Sequence, residues 1–413
     1  MKTIQWTLLL LLTTLLWHCE QNEPAPYINP PAEVFNCAEE ADACDLVYNN
    51  NAFGFDLFHR LHSEDPAANI FISPLSINTA LSMTANGMLD DELADVRGIL
   101  HQDAMTEQQV NEAFKYYLNE LPVMAPNVTM LPANSIWYHE DFPFYQDFLT
   151  TNQTYFDAAI EARDFRDPAT KDEINGWIAD KTNDRIQNMI DNIPAEAIMY
   201  LINAVYFKGD WRYQFDADQT YTADFTAYDG ATQSTPMMTH GQKMTLPYMR
   251  DDNFQMVDLP YVDSVFSMSL ILPDENVSMD DVINELNADT WNQWVELLHP
   301  TEGYVQLPRF KMEYEKTLND DLRAIGMQAG WSPWGDNRLT EAQNILISLV
   351  KHKSFLEVTE EGTEAAAATV VGIELTSVPL TFNMNFNRPF LLVIRERAAN
   401  GVLFLGKVNS LEE

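Results

Sequence analysis

The chain has 413 residues, 46% of them hydrophobic and 11% aromatic, which is enough to bury a large core and excludes a disordered or fibrous protein. Asp and Glu outnumber Lys and Arg by 62 to 24, a formal charge of -38 that repels nucleic-acid phosphates and anionic polysaccharides and excludes nucleic acid as a partner. A solvated acidic surface accounts for this charge and names no partner by itself.

At the start of the chain Lys2 precedes an apolar run from Trp6 to Trp17, broken by Thr13 and Thr14 and followed by Cys19. The run falls short of the roughly 20 apolar residues of a spanning helix, so 1–18 is read as a secretory signal and the protein is expected outside the cytoplasm. Cleavage before Cys19 with lipidation of its thiol would resemble a bacterial lipoprotein, giving membrane attachment through lipid. Trp17 and His18 stand where that signal carries small side chains, so the lipidated and the freely secreted forms both stay open. Residues 19–45 are rich in Pro, Asn and Glu and read as a flexible tether. Within them Cys37 and Cys44 either close a small loop in an oxidising compartment or remain a free pair.

The domain is expected over 46–413. Apolar residues at three- and four-residue spacing predict helices at Leu46–Leu61, Pro74–Met88 and Glu107–Leu121. Short β-branched or aromatic runs bounded by Gly, Pro or Asp predict strands at Asn203–Gly209, Val265–Leu272, Leu346–Thr359 and Phe390–Arg395. With no repeat and no second Pro/Gly linker, the pattern is that of one α+β domain.

No HExxH helix, GxSxG elbow, Walker loop or GxGxxG fingerprint is present, and the carboxylates of so acidic a chain are mostly solvated. The chain is therefore expected not to be an enzyme, and to need neither metal nor cofactor. The informative segment is Glu360-Glu361-Gly362-Thr363-Glu364-Ala365-Ala366-Ala367-Ala368-Thr369 with the residues that follow it. Every second residue from Thr363 is small or apolar: Thr363, Ala365, Ala367, Thr369, Val371, Ile373, Leu375. That period suits a strand with one buried face, while the alanines alone suit a helix or a flexible linker equally well. Gly362 supplies a hinge with few backbone restrictions.

This segment resembles the hinge of the serpin reactive loop, and the likeness continues in order along the chain. Asn69 to Ile77 is similar to the family's early helix signature, and Asn203 to Trp211 to its strand-and-turn signature. Leu307-Pro308-Arg309-Phe310, His352-Lys353, Phe386-Asn387-Arg388-Pro389-Phe390 and Phe404-Leu405-Gly406-Lys407 follow. The resemblance covers Leu46 to Leu411 and implies the α+β serpin fold: a helical N-terminal part, a large central β-sheet, further β-sheets and an exposed reactive centre loop at about 360–380.

It also implies inhibition of a serine-type, or else cysteine-type, endopeptidase. The loop is cleaved to the acyl-enzyme stage and inserted as a new central strand of the largest sheet. Counting from Glu360 puts Thr376 before the scissile bond and Ser377 after it, with Leu375-Thr376 the alternative. Neither choice offers a cation, so elastase-like, subtilisin-like or papain-like targets fit better than trypsin-like ones. The hinge falls on Gly362, Thr363, Glu364, Ala365, Ala366, Ala367, Ala368 and Thr369. By the same likeness Ser73, Ser76, Asn203 and His352 form a polar cluster beneath the parting strands. Trp211, Arg309 and Glu360 mark the entry, where an exposed Arg309–Glu360 pair contributes at most about 1 kcal/mol. Between His101 and Asn127 only Lys115 is a fixed cation, so no heparin-type activator is expected. A monomer is expected. A non-inhibitory serpin, acting as carrier, scaffold or plain substrate, shares the fold and is the alternative. An unrelated secreted hydrolase is the third reading.

Overall fold

Apolar residues three and four apart bring Leu46, Val47, Phe53, Leu57, Phe58 and Leu61 to one side of α1 (Ala41–Glu64), where all are buried. The computed structural model describes residues 36–363 and 381–411, apart from Ala195, Ala329, Ser332, Trp334, Asn344 and Ser348. The signal at 1–18, Cys19, the hinge from Glu364 to Thr369 and the candidate bonds at Leu375, Thr376 and Ser377 lie outside the described residues. α1 begins within the stretch read as a tether. Ala43 is buried, and Cys37 and Cys44 are bonded with their Cα atoms 5.6 Å apart. Asp42 lies in the first turn of α1, where a carboxylate is favourable to the helix dipole.

The remaining helices are α2 (Pro74–Ala85), α3 (Asp90–Ile99), α4 (Glu107–Met124), α5 (Gln146–Phe156), α6 (Pro168–Lys181), α7 (Met279–Glu285), α8 (Ala288–Leu297) and α9 (Asn319–Ala324). Ser73 caps α2 by accepting from the Ser76 N–H, with Pro74 at the first helical position. Nearly every side chain of α2 is buried, its polar residues included, and these are hydrogen-bonded within the helix or to its neighbours, as Thr79 is to Leu75 O and Ser82 to Asn78.

The strands in the first half are β1 (Ile70–Ile72), β2 (Val128–His139), β3 (Ala159–Arg163), β4 (Met199–Asp210), β5 (Tyr221–Thr226), β6 (Thr232–Thr239), β7 (Met244–Arg250) and β8 (Phe254–Pro260). They continue as β9 (Phe266–Pro273), β10 (His299–Pro308), β11 (Phe310–Thr317), β12 (Lys351–Val358), β13 (Gly362–Thr363), β14 (Phe382–Asn385), β15 (Phe390–Glu396) and β16 (Val402–Val408). Among the described residues the largest sheet runs β1-β16-β15-β9-β8-β7-β10-β6-β5, with β14 beside β10. A second sheet runs β13-β4-β2-β3, and β11 pairs with β12 alone. The predicted strand from Leu346 begins only at Lys351. Ahead of it, Ile347 N–H donates to Gly330 O and Val350 N–H to Asn319 Oδ1, so that backbone is satisfied by neighbouring loops and not by a ladder.

One apolar core joins α1, α2 and the large sheet. A smaller cluster, with Trp137, Ile174, Ile178, Tyr200 and Ile202, packs α6 onto the outer face of β2 and β4. The architecture is a single α+β domain with helices leading the chain, as the sequence pattern predicts.

Candidate functional site

β4 and β12 face each other across a seam. Among the described residues they exchange no ladder hydrogen bonds, and only β13 begins to fill the space from one end. Gly362 pairs with Asp210 and Thr363 with Gly209. The first two hinge residues therefore join the smaller sheet, not the largest one. Gly362 is required by close approach: a Cβ there would meet Gly209 O at 2.3 Å and Asp210 Cα at 2.6 Å.

The entry is clamped from several sides. Thr363 is buried, and its hydroxyl shares a 2.8 Å hydrogen bond with the Tyr261 hydroxyl. The Trp211 ring stacks on Tyr261 at 4.8 Å, while its indole N–H donates to Thr359 O at 3.0 Å and its backbone N–H to Glu361 O at 2.8 Å. Phe215 N–H donates to Glu360 O at 2.8 Å. Arg309 and Glu360 do form an ion pair, Nε to Oε2 at 3.0 Å, but it is not the exposed pair expected from sequence. The Glu360 side chain is 6% exposed and that of Arg309 48%. Burial alone would raise the Glu360 pKa. Hydrogen bonds from Arg309 and from the Thr220 hydroxyl, 2.7 Å away, outweigh it and hold the carboxyl below its ordinary value.

Deeper in the seam lies the polar cluster. Ser73 N–H donates to His352 Nε2 at 3.2 Å, the Ser76 hydroxyl reaches Asn203 O at 3.5 Å, and Asn203 Nδ2 donates to Asn134 Oδ1. Asn134 in turn donates to Phe156 O at the end of α5. Burial pushes the His352 pKa down to about 4, consistent with a neutral ring whose Nε2 lone pair is already in use.

Along the seam, β12 is tied by polar contacts to the connector after α6. Lys351 Nζ lies 2.8 Å from Asp191 Oδ2, Lys353 Nζ donates to Gln187 O at 3.0 Å, and Arg185 approaches Glu357 at 3.7 Å. Below the polar cluster the seam widens into a cavity of about 120 Å3 between α2, the start of β4 and residues 345–352. Among the described residues no group of three His, Cys, Asp or Glu side chains is placed to hold a metal ion.

Sequence reasoning names Ser73, Ser76, Asn203 and His352 together, and the structure brings them together; it does the same for Trp211, Arg309 and Glu360. Tyr261, Thr220 and Asn134 were missed. Each is a single polar residue on a strand or turn far along the chain from its partner, and only the tertiary pairing identifies it.

The chain matches the family description Serpin (serine protease inhibitor) over residues 48–411. A leukocyte elastase inhibitor from Xenopus tropicalis is 32% identical over 371 residues, spanning 87% of this chain and 97% of its own. The crystal structure of a thermophilic serpin, tengpin, in the native state shares 33% identity with a TM-score of 0.80, covering 88% of this chain and 94% of its own. Human thyroxine-binding globulin complexed with thyroxine shares 25% identity with a TM-score of 0.82, covering 90% and 100%.

Proposed function

The chain belongs to the serpin family, and on that premise we propose that it inhibits a serine-type, or else cysteine-type, endopeptidase by offering residues 360–380 as bait and drawing the cleaved segment into the seam between β4 and β12. The observation that carries this reading is the pairing of Gly362 and Thr363 with β4 at the head of a seam that is otherwise unpaired among the described residues. Continued insertion adds one strand with a ladder on each side. At about 1 kcal/mol per net hydrogen bond this supplies on the order of 10 kcal/mol. Peptidase still joined to the loop as an acyl-enzyme is dragged along, and displacing its catalytic groups by an ångström slows hydrolysis roughly 100-fold.

In this reading the bond cut is Thr376-Ser377, with Leu375-Thr376 the alternative. An elastase-like target suits these residues and the name of the Xenopus relative. Ser73, Ser76, Asn203 and His352 hold the seam at its middle, and Trp211, Arg309 and Glu360 hold its entry. The protein acts outside the cytoplasm, secreted or held at the envelope through Cys19. The second reading, a binding serpin, is favoured by the likeness to thyroxine-binding globulin.

Incubation with elastase and with subtilisin, followed by denaturing electrophoresis, separates the two readings. A band of summed mass that survives boiling is expected. Clipped chain beside fully active peptidase would sink the inhibitory reading. Thr363→Arg, which buries a charge where Tyr261 now bonds a hydroxyl, is expected to turn the inhibitor into a substrate.

A further inference from the structure

The lower seam has a chemistry of its own. Its cavity is walled by Ile77, Leu81, Leu201, Ile345, Leu349 and Val350, and closed at one end by Ser76, Asn203 and His352. At about 120 Å3 it approaches the roughly 150 Å3 of a dry, aliphatic cavity that admits benzene. Its polar end is incomplete. Asn203 is 8% exposed, and its Oδ1 is buried without a hydrogen-bond partner, while its Nδ2 is used by Asn134. Of the neighbouring donors, the Ser73 N–H is taken by His352 and the Ser76 hydroxyl by the Asn203 carbonyl. The cation in the wall is committed too, since Lys351 Nζ lies 2.8 Å from Asp191 and 2.7 Å from Glu315. An anionic ligand thus gains little here, whereas a neutral one with a single donor gains a partner for a stranded acceptor.

We propose that this cavity binds a small aromatic alcohol of the phenol class, its ring among the aliphatic side chains and its hydroxyl donating to Asn203 Oδ1. Resting on the inhibitory reading, occupancy obstructs the lower seam, so a bound phenol retards insertion and diverts the reaction with a peptidase from trapped complex to clipped chain.

Titration calorimetry of the intact chain, with no peptidase present, tests the site using phenol and anisole, which keeps the ring and the oxygen, adds a methyl group and has no donor. Saturable phenol binding is expected, with anisole about five-fold weaker, the factor worth one net hydrogen bond of about 1 kcal/mol. Asn203→Leu is expected to level the two ligands. Leu349→Trp, at a cavity-lining position that is 40% exposed and outside any strand, is expected to fill the space and abolish both. No saturable phenol binding up to about 10 mM, equal affinities in the native chain, or unchanged binding in Leu349→Trp would overturn the site. With elastase added, the covalent fraction is expected to fall as phenol saturates. A constant fraction with phenol bound overturns the regulatory step alone, and a failure to form any covalent complex without phenol overturns the inhibitory reading alone.

Discussion

The two sheets treat their inner strands differently. β15 is bonded on both sides, to β16 from Phe390 to Arg395 and to β9 from Leu391 to Glu396, and every residue it contributes is buried. β4 is bonded to β2 from Val128 to Tyr138, yet on its other side, among the described residues, only Asp210 and Gly209 have strand partners, Gly362 and Thr363. An inner strand with one open edge is a place where free energy has been left ungained, because its backbone groups are equipped for a ladder that another strand can complete. On the proposed reading, one sheet gives the molecule its permanence and the other holds the transition that loop insertion would use.

The sharpest way to break this comparison is to cut the loop. Cleavage within 364–380 is expected to raise the melting temperature by on the order of 10 °C, since about 10 kcal/mol of new ladder is spread over a transition of this size. Calorimetry of the clipped chain checks it, and a melting temperature unchanged or lowered would mean that the seam takes in no strand. Acid is expected to act next most strongly, through one histidine under the seam and one beside its entry at the end of β6. His352, under the seam, and His240, stacked on Phe215 beside the entry, are both pushed down to about 4 by burial. Their folded pKa values lie below the ordinary 6.5, so the stability they contribute is complete above that value and is lost as pH falls toward 4. At pH 5 the loss is about 2 kcal/mol for each ring. Urea midpoints measured from pH 7 to pH 5 are expected to fall accordingly, and less steeply in His352→Gln. On the closed side, Leu392→Ala in β15 is expected to cost about 3 kcal/mol by opening a cavity, while leaving the ratio of trapped to clipped chain as it was.

How much of this was legible beforehand differs between the same two regions. The strands of the closed sheet announce themselves: Phe390 to Ile394 is an unbroken apolar run, and burial on both faces is what such a run requires. Of the hinge, only Gly362 and Thr363 fall among the described residues; Gly362 was singled out by its identity, although its physical reason proved to be contact with Gly209 and not backbone freedom. The seam itself was not legible. Whether two strands pair or stand apart depends on what lies between and behind them, and Leu346 to Val350 read as a strand because apolar residues that line a cavity look the same in sequence as those that line a sheet. The burial of Glu360 was hidden for a related reason. Its charge suggests the surface, but Arg309 and Thr220, from two other parts of the chain, make an interior position tolerable.

The smallest effect sharpens the comparison at the point where the open sheet begins to close. Tyr261→Phe keeps the ring stacked on Trp211 and removes only the hydroxyl that meets Thr363. The loss is expected to be about 1 kcal/mol, one net hydrogen bond, and Thr363→Val alone is expected to cost a similar amount. Because both changes delete the same bond, the double variant is expected to be only about as unstable as either single one, a coupling of about 1 kcal/mol in a double-mutant cycle read from urea midpoints. Full additivity would mean that Thr363 is not held against Tyr261 in solution and that the hinge waits outside the sheet. Strong coupling would place the first residues of the new strand inside the sheet before any peptidase arrives.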